Sequence, residues 1–451
     1  MSTNPLFPIS EVLPELLARL QGHPRLVLEA PPGAGKTTQV PPALLDAPWL
    51  AGRKILMLEP RRIAARAAAE FIAARRGERV GETVGYRIRF ESKVSARTRI
   101  EVVTEGILTR LIQADPELGD IGAILFDEFH ERHLHGDLGA ALALDVQASL
   151  RPDLRLVIMS ATLDGEKVAR WFDAPRLTSA GRSYPVRVEY PPAKANEEWP
   201  FQLRRAVEKA LAEVDGDVLV FLPGRREIER ARSVLAALTP PPVHGGRLGG
   251  GQVDAVAAPT VPHVAPTFPH PNPPPQAGEG INLVPLHGEL SLADQHAALA
   301  PASPGTRRIV LATNVAESSI TLPGIRAVID LGLAREPRFD PNSGFTRLET
   351  VIISQASADQ RAGRAGRVAA GAAYRLWPQS QRLEPSRRAE ITQVELSAFA
   401  LDLAAWGSGD LRWLDAPPSG ALAGAHELLT ELGATDSDGR LTELGRAMLA
   451  A

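Results

Sequence analysis

The chain has 451 residues, a formal net charge of −3, 44% apolar side chains and no cysteine. That length exceeds what one hydrophobic core serves, so two or three domains are expected, and the missing thiols exclude disulfides, thiolate metal sites and cysteine nucleophiles. No run approaches the roughly 20 apolar residues of a membrane helix, and no basic-then-apolar leader opens the chain, so a cytoplasmic location is expected.

Short apolar runs alternate with helical patterns from residue 26 to about residue 190. The predicted strands are 26–29, 54–59, 99–104, 121–126 and 155–160, with Ala- and Arg-rich helical stretches such as 62–76 and 136–150 between them. This alternation predicts an α/β fold, a parallel sheet covered by helices on both faces, over residues 1–190. Residues 190–200, with Pro191, Pro192 and Pro200, read as a linker.

A second alternation fills 200–378: helix 201–214, strand 217–222, helix 225–238, and strands near 283–286, 308–312 and 325–330. It predicts another α/β domain. Within it, 239–282 holds 11 prolines and three charged residues in 44 positions, too few apolar groups to offset ordering entropy. We expect a passive disordered insertion there; a polyproline ligand is the alternative. Residues 389–451 are expected to be helical. They stop inside the amphipathic pattern Leu441, Leu444, Met448 and Leu449, as if within a domain.

Two motifs carry the chemistry. Ala30-Pro31-Pro32-Gly33-Ala34-Gly35-Lys36-Thr37 links the first strand to a helix. Glycines let several backbone N–H groups converge on phosphate, and the helix adds the positive end of its dipole. Gly33, Ala34, Gly35, Lys36, Thr37 and Thr38 are therefore the expected phosphate contacts, with Lys36 on the β- and γ-phosphates and Thr37 on Mg²⁺. Asp127-Glu128-Phe129-His130 follows an apolar strand, so its acids emerge at the strand's end. With Thr37, Asp127 and Glu128 form the expected metal set, and Glu128 is the group expected to polarise the attacking water. Two adjacent acids are often only solvated surface groups; their place after a buried strand argues otherwise. His130 and His133 lack the i, i+4 spacing of a zinc pair.

Further motifs follow in order: Glu59-Pro60-Arg61-Arg62, Thr104-Glu105-Gly106, Ser160-Ala161-Thr162, Phe221-Leu222-Pro223-Gly224, Ala312-Thr313-Asn314-Val315-Ala316-Glu317 and Gln360-Arg361-Ala362-Gly363-Arg364-Ala365-Gly366-Arg367. Together the eight resemble superfamily 2 helicases of the DEAH-box group, most closely the bacterial HrpB-type branch, over about residues 25–370. The resemblance implies two RecA-like parallel-sheet domains in tandem, then an incomplete winged-helix segment at 389–451. It implies an ATP-dependent helicase acting on single-stranded nucleic acid, RNA favoured over DNA, as a monomer, with Mg²⁺ and with other nucleoside triphosphates also accepted.

The same resemblance implies residue roles. Arg364 and Arg367, on one helix face, are expected to cross the cleft as arginine fingers, stabilising transition-state charge. Gln360 is expected to help place the water, with Gly363 and Gly366 keeping that face thin. Arg61, Arg62, Thr104, Gly106, Thr313 and Asn314 match backbone-contacting positions, which fix register without reading sequence. Ser160 and Thr162 are expected to couple the Asp127–His130 turn to the cleft through their hydroxyls. The stretch 336–353 occupies the place of a strand-separating hairpin. No adenine-reading motif precedes Ala30, so base selectivity should be poor, and Phe71, where relatives place a base-stacking arginine, serves either the base or the core. Because the family's later domains are not in the sequence, the competing expectation is an NTP-binding module without productive unwinding.

Overall fold

The runs of Val, Ile and Leu expected to be buried on both faces do form a parallel sheet. The computed structural model describes residues 7–161, 165–181, 184–238, 280–318, 320, 322–340, 343–407 and 410–450. The front sheet contains β1 (Arg25–Glu29), β2 (Lys54–Glu59), β3 (Val84–Ile88), β4 (Glu91–Lys93), β5 (Ile100–Thr104), β6 (Ile121–Phe126), β7 (Arg155–Ser160) and β8 (Arg176–Thr178). Its order is β4-β3-β5-β2-β6-β7-β1-β8, and every pairing is parallel except β3 with β4. β6 is buried at every position, as expected of a central strand with helices above and below.

Parallel strands deliver their following loops to one edge of the sheet, where α/β proteins bind ligands. The phosphate loop leaves β1, Arg61 and Arg62 follow β2, Thr104 closes β5, Asp127 follows β6 and Ser160 closes β7. Motifs far apart in sequence thus share one surface.

The rear sheet consists of β9 (Val186–Glu189), β10 (Asp217–Phe221), β11 (Gly280–Leu286), β12 (Thr306–Ala312), β13 (Ile325–Asp330) and, after the antiparallel hairpin of β14 (Leu333–Asp340) and β15 (Phe345–Ile352), β16 (Gly371–Arg375). Its order is β11-β12-β10-β13-β16-β9, parallel throughout. Two expected boundaries move. β9 pairs with β16, so the rear lobe begins before residue 190. The chain is held there because Gly366 lies against the Tyr184 carbonyl, 2.5 Å from where a Cβ would stand. The insertion is shorter than 239–282, since 280–282 pair with Thr306, Arg307 and Arg308 in β11 and β12; its other residues, 239–279, lie outside the described ones.

The C-terminal segment is helical as expected: Ser397–Trp406, Ser419–Glu431 and Glu443–Ala450, with a β-bridge from Thr435 to Leu441. Phe399, Leu401 and Leu429 bury into the same core as Leu108, Ile112, Leu138 and Leu142 of the front lobe. Trp406 Nε1 donates to Asp145 at 2.8 Å and Gln113 Nε2 to Asp402 at 3.0 Å. This segment therefore travels with the front lobe.

Candidate nucleotide and nucleic-acid site

The phosphate loop takes its shape from two left-handed glycines, Gly33 (φ 84°) and Gly35 (φ 99°), a backbone that side-chain-bearing residues rarely adopt. Gly35 caps the helix Lys36–Leu44, whose first N–H groups face the loop. Lys36 is buried and its Nζ donates to the Ala30 carbonyl at 2.6 Å, so the ammonium is folded back over the loop. Ala30, in the place of a usual glycine, fits without displacement: its N–H donates to the Ser160 carbonyl at 3.0 Å. Ala34 is buried, and Thr38 lines the adjoining cavity.

Asp127 and Glu128 stand at the end of β6 as expected. The Thr37 hydroxyl donates to Asp127, which also accepts the Glu128 N–H at 2.8 Å. Burial, then the Glu128 charge, push the Asp127 carboxyl up to about 6 against the pull of Lys36. A buried acid pair beside a hydroxyl fits Mg²⁺, which takes one or two carboxylates and otherwise uses water and phosphate oxygens. Among the described residues no cluster of three or more His, Cys, Asp or Glu could hold a metal alone. Glu128 adopts a left-handed backbone (φ 50°), a conformation costly for a non-glycine and characteristic of functional sites.

The two lobes meet over this loop. A cavity of about 370 Å³ is walled by Gly33, Lys36, Thr37 and Phe71 from the front and by Leu299, Ile320 and Arg367 from the rear. The Arg367 side chain lies 3.6 Å from where a Cβ on Gly33 would stand, and its Nε is buried without a hydrogen-bond partner. Burial, partly offset by Glu128, lowers the Arg367 pKa to about 10. His130 Nε2 meets Gln360 Oε1 across the cleft at 3.2 Å, and His130 Nδ1 lies 3.4 Å from Glu128. Gln360 thus holds the histidine rather than facing the loop directly. Phe71 is partly exposed in the cavity wall, with Arg75 over both its ring and that of Phe7.

Arg364 departs from expectation. The helix Gln355–Gly363 ends before it, and Arg364 lies in a 3₁₀ turn with its guanidinium on rear-lobe carbonyls: Glu317 at 3.1 Å, and those of Ser318 and Ile320. Burial and the neighbouring Arg367 hold its pKa well below the usual arginine value, although Glu128 favours the charge. A guanidinium does not lose its proton in practice, so this depression measures how weakly its charge is compensated there. Gly363 faces open space, so only Gly366 keeps a close approach.

Arg61, Arg62, Thr313 and Asn314 line a second interlobe cavity of about 380 Å³, together with Arg66 and Arg89. Arg61 is mostly buried, its Nη2 on Glu131 at 2.8 Å and its Nη1 on Asn314 at 3.3 Å. Arg62 is exposed. Thr104 and Gly106 lie one strand away, at the end of β5, outside that lining. Ser160 does not make the expected hydroxyl link: its Oγ is buried without a partner, and its carbonyl braces the loop instead. Thr162 lies outside the described residues.

Three comparisons agree with this geometry. Family models match as "DEAD/DEAH box helicase" over residues 9–171, "Helicase conserved C-terminal domain" over 275–369 and "Helicase associated domain (HA2), winged-helix" over 425–450. The curated ATP-dependent RNA helicase HrpB of Escherichia coli (strain K12) is 43% identical over 449 residues, 98% of this chain and 51% of that protein. The chain belongs to the HrpB branch of the DEAH-box helicases.

The crystal structure of the Escherichia coli DEAH/RHA helicase HrpB superposes with a TM-score of 0.84 at 43% identity, covering 98% of this chain and 52% of that one. A second, titled as the E. coli DExH-box NTPase HrpB, gives 0.81 at 42% identity over 100% and 52%. The chain thus spans about half the length of the HrpB relatives it matches. Several residues tied into the HrpB-type cleft were given no role by the sequence. Arg361 is buried between Glu317 (2.8 Å) and Asp330 (2.9 Å), fixing the segment that presents Gln360. Glu131, His133 and Glu390 form a cluster behind the acid turn. Their partners come from distant elements, and nothing in local spacing announces them.

Proposed function

We propose that this chain is an ATP-driven motor that moves on single-stranded nucleic acid, RNA favoured over DNA, and separates paired strands. The observation that carries this reading is Arg367 of the rear lobe lying on Gly33 of the front lobe. A phosphate cradle completed by a cation from the opposite lobe ties hydrolysis to closure of the cleft.

Backbone N–H groups of residues 33–38 and Lys36 would hold the phosphates. Mg²⁺ would sit on Thr37 and Asp127 and neutralise phosphate charge when bound. Glu128 would accept a proton from the water that attacks the γ-phosphorus, with His130 and Gln360 fixing its orientation. Arg367, and Arg364 once freed from its carbonyls, would stabilise charge on the transferred group. The buried guanidiniums, undercompensated by local carboxylates, suit a polyanion.

The base wall is apolar, formed by Phe7, Phe71, Leu299 and Ile320, which supports use of several nucleoside triphosphates. Arg62, Thr313 and Asn314 would bind the strand's phosphates and sugars without reading bases. The name of the E. coli relative supports RNA as the strand. A cytoplasmic monomer is the simplest setting, and among the described residues no helix is long and apolar enough to cross a membrane.

The test is ATPase activity with and without RNA and DNA strands, followed by strand displacement. RNA-stimulated hydrolysis with displacement supports the motor. Hydrolysis without displacement reduces the chain to an uncoupled NTPase, and no hydrolysis refutes the site.

A further inference from the structure

Behind the acid turn lies a partly buried ionic cluster, outside the lining of the nucleotide cavity, in which Glu131 is buried and His133 and Glu390 keep about a quarter of their side chains exposed. Glu131 ends the short 3₁₀ turn Phe129–Glu131 that follows Asp127 and Glu128. One of its oxygens accepts from Arg61 (2.8 Å) and from His133 Nε2 (2.8 Å); the other accepts the hydroxyl of Ser318 in the rear lobe. The second ring nitrogen of His133 faces Glu390 at 3.2 Å, and that carboxylate also accepts the Leu134 N–H at 2.9 Å. The Glu390 N–H closes the ring by donating to the Arg132 carbonyl at 3.0 Å.

With a carboxylate at each nitrogen, both must donate, so the ring is an imidazolium. Burial opposes the charge, but the bonds to Glu131 and Glu390 and the field of Glu105 outweigh it, holding the pKa at about 10. The neighbouring Glu105 is pushed by burial up to about 7 despite His133. The backbone is pinned on both sides: Glu128 and Arg132 are left-handed at φ 50° and 53°, and Arg132 is clamped by Asp137 (2.9 Å) and Asp415 (2.6 Å).

Three parts of the chain therefore converge on a few atoms. Arg61 and Asn314 belong to the seam between the lobes, Ser318 to the rear lobe, and Glu390 and Asp415 to the C-terminal segment. All act on the five-residue stretch that begins at the water-polarising Glu128. We propose that His133, gripped by Glu131 and Glu390, is a positioning residue that makes hydrolysis respond to the nucleic-acid strand by coupling the Arg61–Asn314 seam and the C-terminal segment to the Glu128 turn. This rests on the motor reading above. His133 touches no reacting atom; it sets where Glu131, and through it the turn, can sit. Strand contact that draws Arg61 away from Glu131 would change the balance of bonds on that carboxylate, three residues from Glu128.

The test uses the full chain and a single-stranded RNA oligomer, comparing wild type with His133→Ala, Glu390→Ala and Glu390→Gln. Steady-state kcat and ATP KM are measured with and without RNA, alongside melting temperature. Both alanine variants are expected to keep RNA-free turnover and ATP KM within about threefold while losing RNA stimulation by about tenfold or more, inside the roughly 5–150-fold range of site-to-site coupling. Glu390→Gln retains an acceptor for the ring and should recover most of that stimulation. Unchanged stimulation in both alanine variants overturns the proposal and leaves the nucleotide site standing. So does a parallel fall of melting temperature, RNA-free turnover and stimulated turnover, which marks a purely structural cluster. A wild-type chain that hydrolyses ATP without any response to RNA or DNA overturns the motor reading and this proposal together.

Discussion

Arg367→Ala separates a cleft built for hydrolysis from one that merely binds. Among the described residues, Lys36 and Arg367 are the two cations in the wall of the nucleotide cavity, and only Arg367 comes from the rear lobe. Arg364 cannot replace it without giving up three carbonyl contacts. Removing an arginine finger costs about 10³–10⁵ in turnover, which at about 1.36 kcal/mol per decade is roughly 4–7 kcal/mol of transition-state stabilisation. Nucleotide affinity should change far less, by under about tenfold, because on the proposed function Lys36 and the backbone N–H groups would hold the ground state. Phosphate release at saturating ATP and RNA, beside a fluorescent-nucleotide titration, reads both quantities. Turnover within about tenfold of wild type would refute the assignment, and a matching loss of affinity would show that Arg367 only binds. Arg367→Lys should recover little, since a point charge lacks the planar fork.

Lys36→Ala should abolish hydrolysis, because the ammonium over Ala30 lines the cavity and is the front-lobe cation proposed for the phosphates; unchanged turnover in a phosphate assay would contradict the site. Arg364→Ala should cut turnover and also lower the melting temperature, since the Glu317 and Ile320 carbonyls would lose their guanidinium donor at about 1–3 kcal/mol each; a stable, inactive variant would show a finger with no anchoring role. The folded-state pKa of His133, about 10, lies above its ordinary 6.5, so its ion pairs stabilise fully below about pH 6.5 and are lost as pH rises through about 10. The melting-temperature gap between wild type and His133→Ala should therefore shrink over that window; a gap that widens would refute the sign. Deleting residues 240–278 with a short linker should leave the melting temperature unchanged, and a clear drop would contradict a passive insertion.

Much of the fold was legible in the chain because long apolar runs have few alternatives. β2, β6, β7 and β13 begin and end where the pattern predicts. β3, β4, β8, β9 and β16 escaped notice: β4, β8 and β9 are three or four residues long with mostly exposed side chains, and β3 and β16, though largely buried, are five-residue runs that each carry Gly, Tyr and Arg, so no clear period-two or apolar signal marks any of them. Missing β9 is what placed the lobe boundary too late. The motif residues at the ends of β1, β2, β6 and β7 could be found because each adjoins a readable strand. The local geometry could not. Whether Arg364 faces the loop or the Glu317–Ile320 carbonyls depends on where the helix Gln355–Gly363 stops, and no capping residue there signals it. Glu131, His133 and Glu390 were hidden for a related reason: their meaning lies in contacts across 70 to 257 positions.

The character of the contacts says which parts move together. The C-terminal helices share a continuous apolar core with the front lobe, so separating them would expose Phe399, Leu401 and Leu429. The lobes themselves meet differently. Each keeps its own core, and among the described residues only Ile63 of the front lobe packs against a rear-lobe cluster. The other contacts between them described above are polar: His130–Gln360, Arg61–Asn314, Glu131–Ser318 and the guanidinium of Arg367 over the loop. Water can replace such contacts at small net cost, whereas it cannot replace a core. The rear lobe is thus the part better suited to swing, and on the proposed function a triphosphate with Mg²⁺ would hold it shut by compensating Arg367 and the Asp127–Glu128 pair. Hydrolysis would withdraw that compensation, and opening would then pull on Gln360 and Ser318, the rear-lobe groups bonded to the adjacent residues His130 and Glu131 of the acid turn, so that the end of the cycle would also reset its geometry.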